Sequence, residues 1–282
     1  MADGILRALT EDQAFRIVIA ETTGTARDCA HAQGAAPELI SLLGEMVTGV
    51  VLFRHLMSPA YRVQGILRSP DGKSSLLGDS HPDGDTRALV RLAANQREFS
   101  LANGAQLQLM RSLPNGSLNQ GFADAGPGAS LSDAFMSYMQ VSEQVTTFVN
   151  LGAPRGDEGL IAAGGFMVQL LPDAPQDGIR DMVARLERLG DLDAYLIDPE
   201  FNPEWLLRQL IGSRKYTVVG QENVRCHCWC SEERVLAALS TLDRSEIEDI
   251  IKKGEVLDVG CDYCHASYRI QPATLAGLLN QS

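Results

Sequence analysis

Two periodicities alternate along residues 1–172. A β-rich run at 15–20 is followed by a helical pattern that opens at Pro37, with Leu39, Leu42, Leu43, Met46, Val50 and Phe53 at helical spacing. The most apolar stretch, 39–57, carries Glu45, Arg54 and His55, which marks it as a buried helix and not a membrane span. Beyond Pro59 the pattern shortens to strands at 61–67, 86–92 and 105–110, the last with Leu107 and Leu109 on one face. Pro70-Asp-Gly72, Pro82-Asp-Gly84, Pro114-Asn-Gly116 and Gly126-Pro-Gly128 separate them as turns. Ser130 or Ser132 caps a helix running through Gln140, and further strands are predicted at 145–151 and 159–171.

The pattern changes at 173–204. Ile179, Met182, Val183, Leu186 and Leu189 form a modest amphipathic helix between Pro172, Pro175, Pro199 and Pro203. Nine acidic residues against three arginines give this stretch a net charge of −6. It reads as a solvated connecting helix, or as a linker whose sparse apolar stripe makes local opening easy. From Lys215 the chain becomes a compact cysteine-bearing module. Strands are predicted at 216–219 and 223–226, and Ser231 caps a helix carrying Val235, Leu236, Leu239 and Leu242. Arg234 stands where a full capping box would want Glu or Gln, so only the Ser half is present. A second helix starts at Asp243 or Ser245, runs through Ile247, Ile250 and Ile251 and ends at Gly254, and a strand at 255–259 leads into Cys261. The expected fold is therefore α+β: a mixed α/β core domain at 1–172, an acidic helical linker at 173–214 and a small C-terminal cysteine module at 215–282.

Charge narrows the function. The 282 residues carry 24 Lys and Arg against 36 Asp and Glu, a net of −12, which argues against a partner bound by phosphate neutralisation and against docking on an anionic membrane. Neither nucleic acid nor membrane is an expected partner. The N-terminus bears Asp3, Glu11 and Asp12 and no unbroken apolar segment, so no signal peptide is expected and the cytoplasm is the expected compartment.

Five of the six cysteines, Cys226, Cys228, Cys230, Cys261 and Cys264, fall within residues 226–264, whereas Cys29 stands alone. A secreted disulfide framework spreads its cysteines more widely; such a cluster in a reducing compartment points to metal or redox chemistry. Cys228-Trp-Cys230 and Cys261-Asp-Tyr-Cys264 are two short chelating pairs. Together they supply the four soft donors of a tetrahedral zinc site, with zinc–sulfur bonds of about 2.3 Å. That geometry holds sulfurs roughly 3.7 Å apart, whereas a disulfide needs about 2.05 Å, so zinc and disulfides exclude each other at the same atoms. Cys226 is close enough to substitute as a ligand, and His227 and His265 adjoin the cysteines, although exposed neighbours are the simpler reading. A Cys29–His31 dyad is poor, because a two-residue spacing does not share a helix face. Trp205 and Trp229 read as packing residues.

The run Cys228-Trp-Cys-Ser-Glu-Glu-Arg-Val235, with Cys261-Asp-Tyr-Cys264 and Tyr268, resembles the 33-kDa heat-shock protein (HslO) family of redox-regulated chaperones. Ala162-Ala-Gly-Gly-Phe-Met-Val-Gln-Leu-Leu-Pro172 is similar to that family's Ala-Gly-Gly strand, and Ser142-Glu-Gln144 to the end of one of its helices. The resemblance implies an ATP-independent holdase, not an enzyme. Its reduced form holds zinc through Cys228, Cys230, Cys261 and Cys264. Its oxidised form carries Cys228–Cys230 and Cys261–Cys264 disulfides, and unfolding client proteins bind to surface released from the module and linker. A homodimer of the oxidised chain fits the same scheme. Cys226 departs from the family pattern, which has an apolar or aromatic residue there; register with Ser-Glu-Glu-Arg assigns it the spare role. Two other classes remain open on the residues alone. One is a structural zinc ribbon that binds a partner, and the other is a thiol–disulfide oxidoreductase, which would need one exposed low-pKa Cys-x-x-Cys at a helix N-terminus.

Overall fold

The long apolar pattern after Pro37 becomes a twenty-residue helix because Pro37 occupies its first turn, Glu38 faces its positive N-terminal end, and Arg54 and His55 lie in its last turn. In the computed structural model, which describes residues 3–172 and 174–279, this helix is the axis of the molecule's larger unit. The chain divides into two compact units, one ending at His227 and the other starting at Cys228. Asp173, where the acidic stretch was placed to begin, lies outside the described residues, as do the two chain ends of the outer predicted domains.

In chain order the first unit comprises β1 (Gly4–Thr10), β2 (Phe15–Glu21), α1 (Thr23–Ala32), α2 (Pro37–Leu56), β3 (Arg62–Arg68), β4 (Ser75–Ser80), β5 (Asp85–Arg91), β6 (Ala105–Ser112), β7 (Leu118–Ala125) and α3 (Leu131–Val141). It continues with β8 (Thr147–Gly152), β9 (Arg155–Gly156), β10 (Gly159–Leu160), β11 (Gly164–Leu170), α4 (Gln176–Leu189), α5 (Leu192–Leu196), α6 (Pro203–Ile211), β12 (Tyr216–Asn223) and β13 (Arg225–Cys226). The second unit holds α7 (Glu232–Leu239), α8 (Arg244–Lys253), β14 (Leu257–Gly260), β15 (Ser267–Ile270) and α9 (Pro272–Leu279).

Two sheets sandwich α2. One is antiparallel with strand order β12-β1-β2-β11-β8; the other runs β13-β5-β4-β3-β6-β7, with β13 parallel to β5. Alternation along β2 shows how the first sheet is covered on both faces. Val18 and Ala20 join the core around α2, while Ile17 and Ile19 join a second core beneath α4, α5 and α6. The second sheet meets α2 closely at a glycine pair: Gly65 and Gly78 face each other across β3 and β4. A methyl group at Gly65 would lie 2.7 Å from Val50 Cγ1, and one at Gly78 would lie 2.8 Å from Val50 Cγ2. Among the described residues α2 is the one helix long and apolar enough to cross a bilayer, and 78% of its most apolar window is buried in protein.

Several expectations shift in detail. The strand predicted at 159–171 is interrupted, with β10 and β11 separated by residues 161–163. The two strands predicted at 216–226 are a continuous β12 followed by a two-residue β13. Strands β1, β4 and β7 escape a period-two reading. In β4 all six residues are buried, polar ones included, and β7 is a mostly exposed edge strand. Ser130 and not Ser132 caps α3, exchanging hydrogen bonds with Asp133 in a full capping box.

Candidate metal centre

The second unit has little apolar core of its own. Ile247, Ile270 and Leu275 are buried, and α7 buries none of its residues. Its cysteines sit at two local stops. Cys228 and Cys230 precede α7, whose N-cap Ser231 accepts a hydrogen bond from the Arg234 amide, so Cys230 lies near the positive end of a helix that favours an anionic sulfur. Cys261 and Cys264 lie in the loop of the β14–β15 hairpin. Cys261 N donates to Ala266 O at 2.9 Å and His265 N donates to Cys261 O at 2.8 Å. His265 closes that loop in the left-handed region at φ 58°.

These stops bring four sulfurs together. The Sγ atoms of Cys228, Cys230, Cys261 and Cys264 all lie within 4.8 Å of one another and could hold a metal ion. Contacts run between the motifs: Cys228 to Cys261 at 3.7 Å and Cys230 to Cys264 at 3.3 Å. None of the six cysteines is in a disulfide. Burial, together with the neighbouring sulfurs, pushes the Cys264 thiol up to about 12. Four crowded thiolates repel one another, and a divalent cation is the counter-charge that such a donor set fits. Tyr268 Oη donates to Cys230 Sγ at 3.0 Å, and that bond, more than burial, pushes its phenol up to about 12. An outer partner of this kind orients a ligand; the sequence marks Tyr268 only through the family resemblance. His227 and His265 are exposed and neither belongs to the four-donor group.

Cys226 is also outside that group. It sits on β13 in the first unit, where Cys29 Sγ on α1 donates to its Sγ at 3.2 Å. Cys29 is buried and Cys226 half-buried. The hydrogen bond to Cys226, together with burial, raises the Cys29 pKa well above its ordinary value. The two lie 197 positions apart in the chain, and no local spacing in the sequence points from one to the other.

Comparison with known proteins settles the family. The model of the family described as Hsp33 protein matches residues 3–271. The chain belongs to the Hsp33 family. Curated relatives named 33 kDa chaperonin from Bacillus cereus (strain AH187) and Bacillus anthracis (strain A0248) are each 24% identical over 291 residues, covering 99% of both chains. The crystal structure of the 33 kDa chaperonin from Thermotoga maritima superposes with a TM-score of 0.82 at 20% identity, over 100% of this chain and 99% of the other. That structure supports the mixed α+β fold. Hsp33 proteins are chaperones and not enzymes, and a C-terminal four-cysteine cluster accompanies that membership here.

Proposed function

We propose that this Hsp33-family chain is an ATP-independent holdase whose four-cysteine site senses oxidants. The convergence of Cys228, Cys230, Cys261 and Cys264 carries the reading. In the reduced state these four residues hold one zinc ion. Bound zinc would supply the charge that keeps the sulfurs deprotonated, and a cross-link for a unit in which three apolar side chains are buried among the described residues.

Peroxide oxidises the four sulfurs in two steps of two electrons each. In each step a thiolate attacks one peroxide oxygen, the O–O bond breaks, and a second thiolate displaces the oxygen from the resulting sulfenic acid. Two protons complete two waters. The products are the Cys228–Cys230 and Cys261–Cys264 disulfides, whose sulfurs no longer serve as thiolate donors. The second unit then loses its cross-link and unfolds.

Unfolding stress supplies the second input, at α4. This helix covers an apolar groove of about 560 Å³ lined by Phe15, Phe148, Val168, Leu170, Met182 and Val183. Of its residues only Gly178, Met182 and Leu189 are buried. Opening of α4 uncovers Phe148 and Leu170 for unfolding clients, and client proteins are the partners of this reading. Residence in the cytoplasm, where thiol reductants hold cysteines reduced until an oxidant arrives, and a homodimeric oxidised form belong to the same proposal.

The test is metal analysis of reduced protein followed by peptide mapping after peroxide. One zinc per chain and the two predicted disulfides are expected. A stable reduced protein without zinc, whose second unit ignores chelator, would sink the reading.

A further inference from the structure

The Cys29–Cys226 contact has no role in the four-cysteine chemistry, yet it lies at a strategic point. Cys226 ends β13, and the second unit starts two residues later. β13 itself is held weakly. Only Arg225 and Cys226 pair with β5, supported by amide bonds from Arg225 to Gly84 O and from His227 to Thr86 O, and by Arg225 Nε to Asp85 Oδ1 at 2.7 Å. Upstream, β12 is the edge strand of its sheet and, among the described residues, pairs with β1 alone. A pull from an unfolding second unit therefore acts on a two-residue strand and then on a sheet edge.

We propose that Cys29 and Cys226 are a second oxidisable pair, whose disulfide staples β13 to α1 and stops unfolding of the second unit from spreading into β12. The disulfide goes beyond the holdase assignment and can form without it, whereas its role as a stop rests on the unfolding of the second unit proposed above. The sulfurs already touch at 3.2 Å, and a disulfide needs about 2.05 Å, an approach of about 1.1 Å that a two-residue strand at a sheet edge can make. Cys226 is the half-exposed partner and meets the oxidant; Cys29, on the buried face of α1, is the resolving thiol. Hydrogen peroxide transfers one oxygen to Cys226 Sγ, giving a sulfenic acid and one water. Cys29 Sγ then attacks that sulfur, the S–O bond breaks, and the oxygen leaves as the second water with the protons of the two thiols. Each sulfur is oxidised by one electron and peroxide is reduced by two. The cross-link closes the chain over 197 positions, so it constrains every open state in which β13 has left the core. β12 and β13 then become the fixed point between the two segments that open, α4 and the second unit.

Thiol counting and peptide mapping on the full-length protein test this directly. After complete peroxide oxidation, denatured wild type should show none of its six thiols, with a cross-linked peptide pair containing Cys29 and Cys226. Free thiols mapped to Cys29 and Cys226, or a Cys226–Cys228 disulfide in place of their cross-link, overturns the proposal. Hydrogen exchange supplies the second readout. In oxidised Cys29→Ala, and separately in Cys226→Ser, amides of residues 216–227 should exchange about tenfold or more faster than in oxidised wild type. The reduced proteins should be alike and hold the same metal content. Equal protection in oxidised wild type and both variants refutes the staple. Failure of the holdase reading would show instead in the peptides spanning 228–230 and 261–264, which are mapped separately.

Discussion

Glu45 shows how one side chain can tune the stability of the larger unit. It lies on the core helix α2, and burial, reinforced by the charge of Asp193 on α5, pushes its carboxyl up to about 7. In the unfolded chain the group titrates near 4.5. Between these values the folded state holds a proton that the unfolded state has lost, so this group's contribution falls as pH rises from about 4.5 to about 7 and is level above. Glu45→Gln should therefore stabilise the first unit by about 1–3 kcal/mol at pH 8, and the gain should vanish near pH 4; thermal melts at the two values check the sign. Tyr268 acts at the other site. Its Oη donates to Cys230 Sγ, and Tyr268→Phe should weaken metal affinity about tenfold while leaving the four sulfurs in place. Competition against a coloured chelator measures it, and unchanged affinity would deny Tyr268 an orienting role. Cys226→Ser should keep one metal per chain, because its sulfur is not among the four clustered donors, whereas Cys230→Ser removes both a donor and the acceptor for Tyr268.

Among the elements, α4 and α6 divide the acidic stretch unequally. Helix α6 buries Leu206, Leu207, Leu210 and Ile211 to 1% exposure or less, while α4 leaves Val183 46% exposed. Hydrogen exchange should find α4 opening well before α6 or β11, with α6 closer to the core than its position in a linker suggests. Arg214 latches α4. It donates to Gly178 O and Asp181 on that helix and to Asp12 at the β1–β2 turn, and its guanidinium stacks 5.3 Å from the Phe15 ring centre. Arg214→Ala should raise the open population of α4 about tenfold, an effect of about 1.4 kcal/mol. Exchange at 176–189 no faster than wild type would remove the latch.

Legibility follows the same division. Helices α2, α3, α7 and α8 could be read from caps and period because each presents a stripe or a stop, such as Ser231 before α7 and Gly254, at φ 68°, after α8. β4 could not, since a strand buried on both faces carries no alternation. The four clustered sulfurs were readable because each chelating pair is local in the chain. The Cys29–Cys226 contact was not, because it arises only when α1 and β13 meet across the tertiary fold.

At the scale of the whole molecule, apolar support is shared unequally between the two units. The first unit has two extensive cores on either side of its β12-β1-β2-β11-β8 sheet. Its edge strand β12 is tied down by Glu222, which accepts from Arg7 at 2.6 Å and from the buried Arg54 at 3.2 Å. Burial opposes the charge on Glu222, but the surrounding cations hold its pKa below the ordinary value. That contribution is present above about pH 4.5 and is lost as pH falls through the folded-state pKa. The second unit, by contrast, has three buried apolar side chains among its described residues, and four clustered sulfurs.

The measurement closest to the central claim is a peroxide titration of reduced, zinc-loaded protein at elevated temperature, following zinc release and suppression of client aggregation in the same sample. The account predicts one zinc released per chain, aggregation suppression rising in step with it, and loss of that suppression on reduction with zinc present. Complete zinc release with aggregation unchanged would contradict it and leave the four cysteines a structural staple.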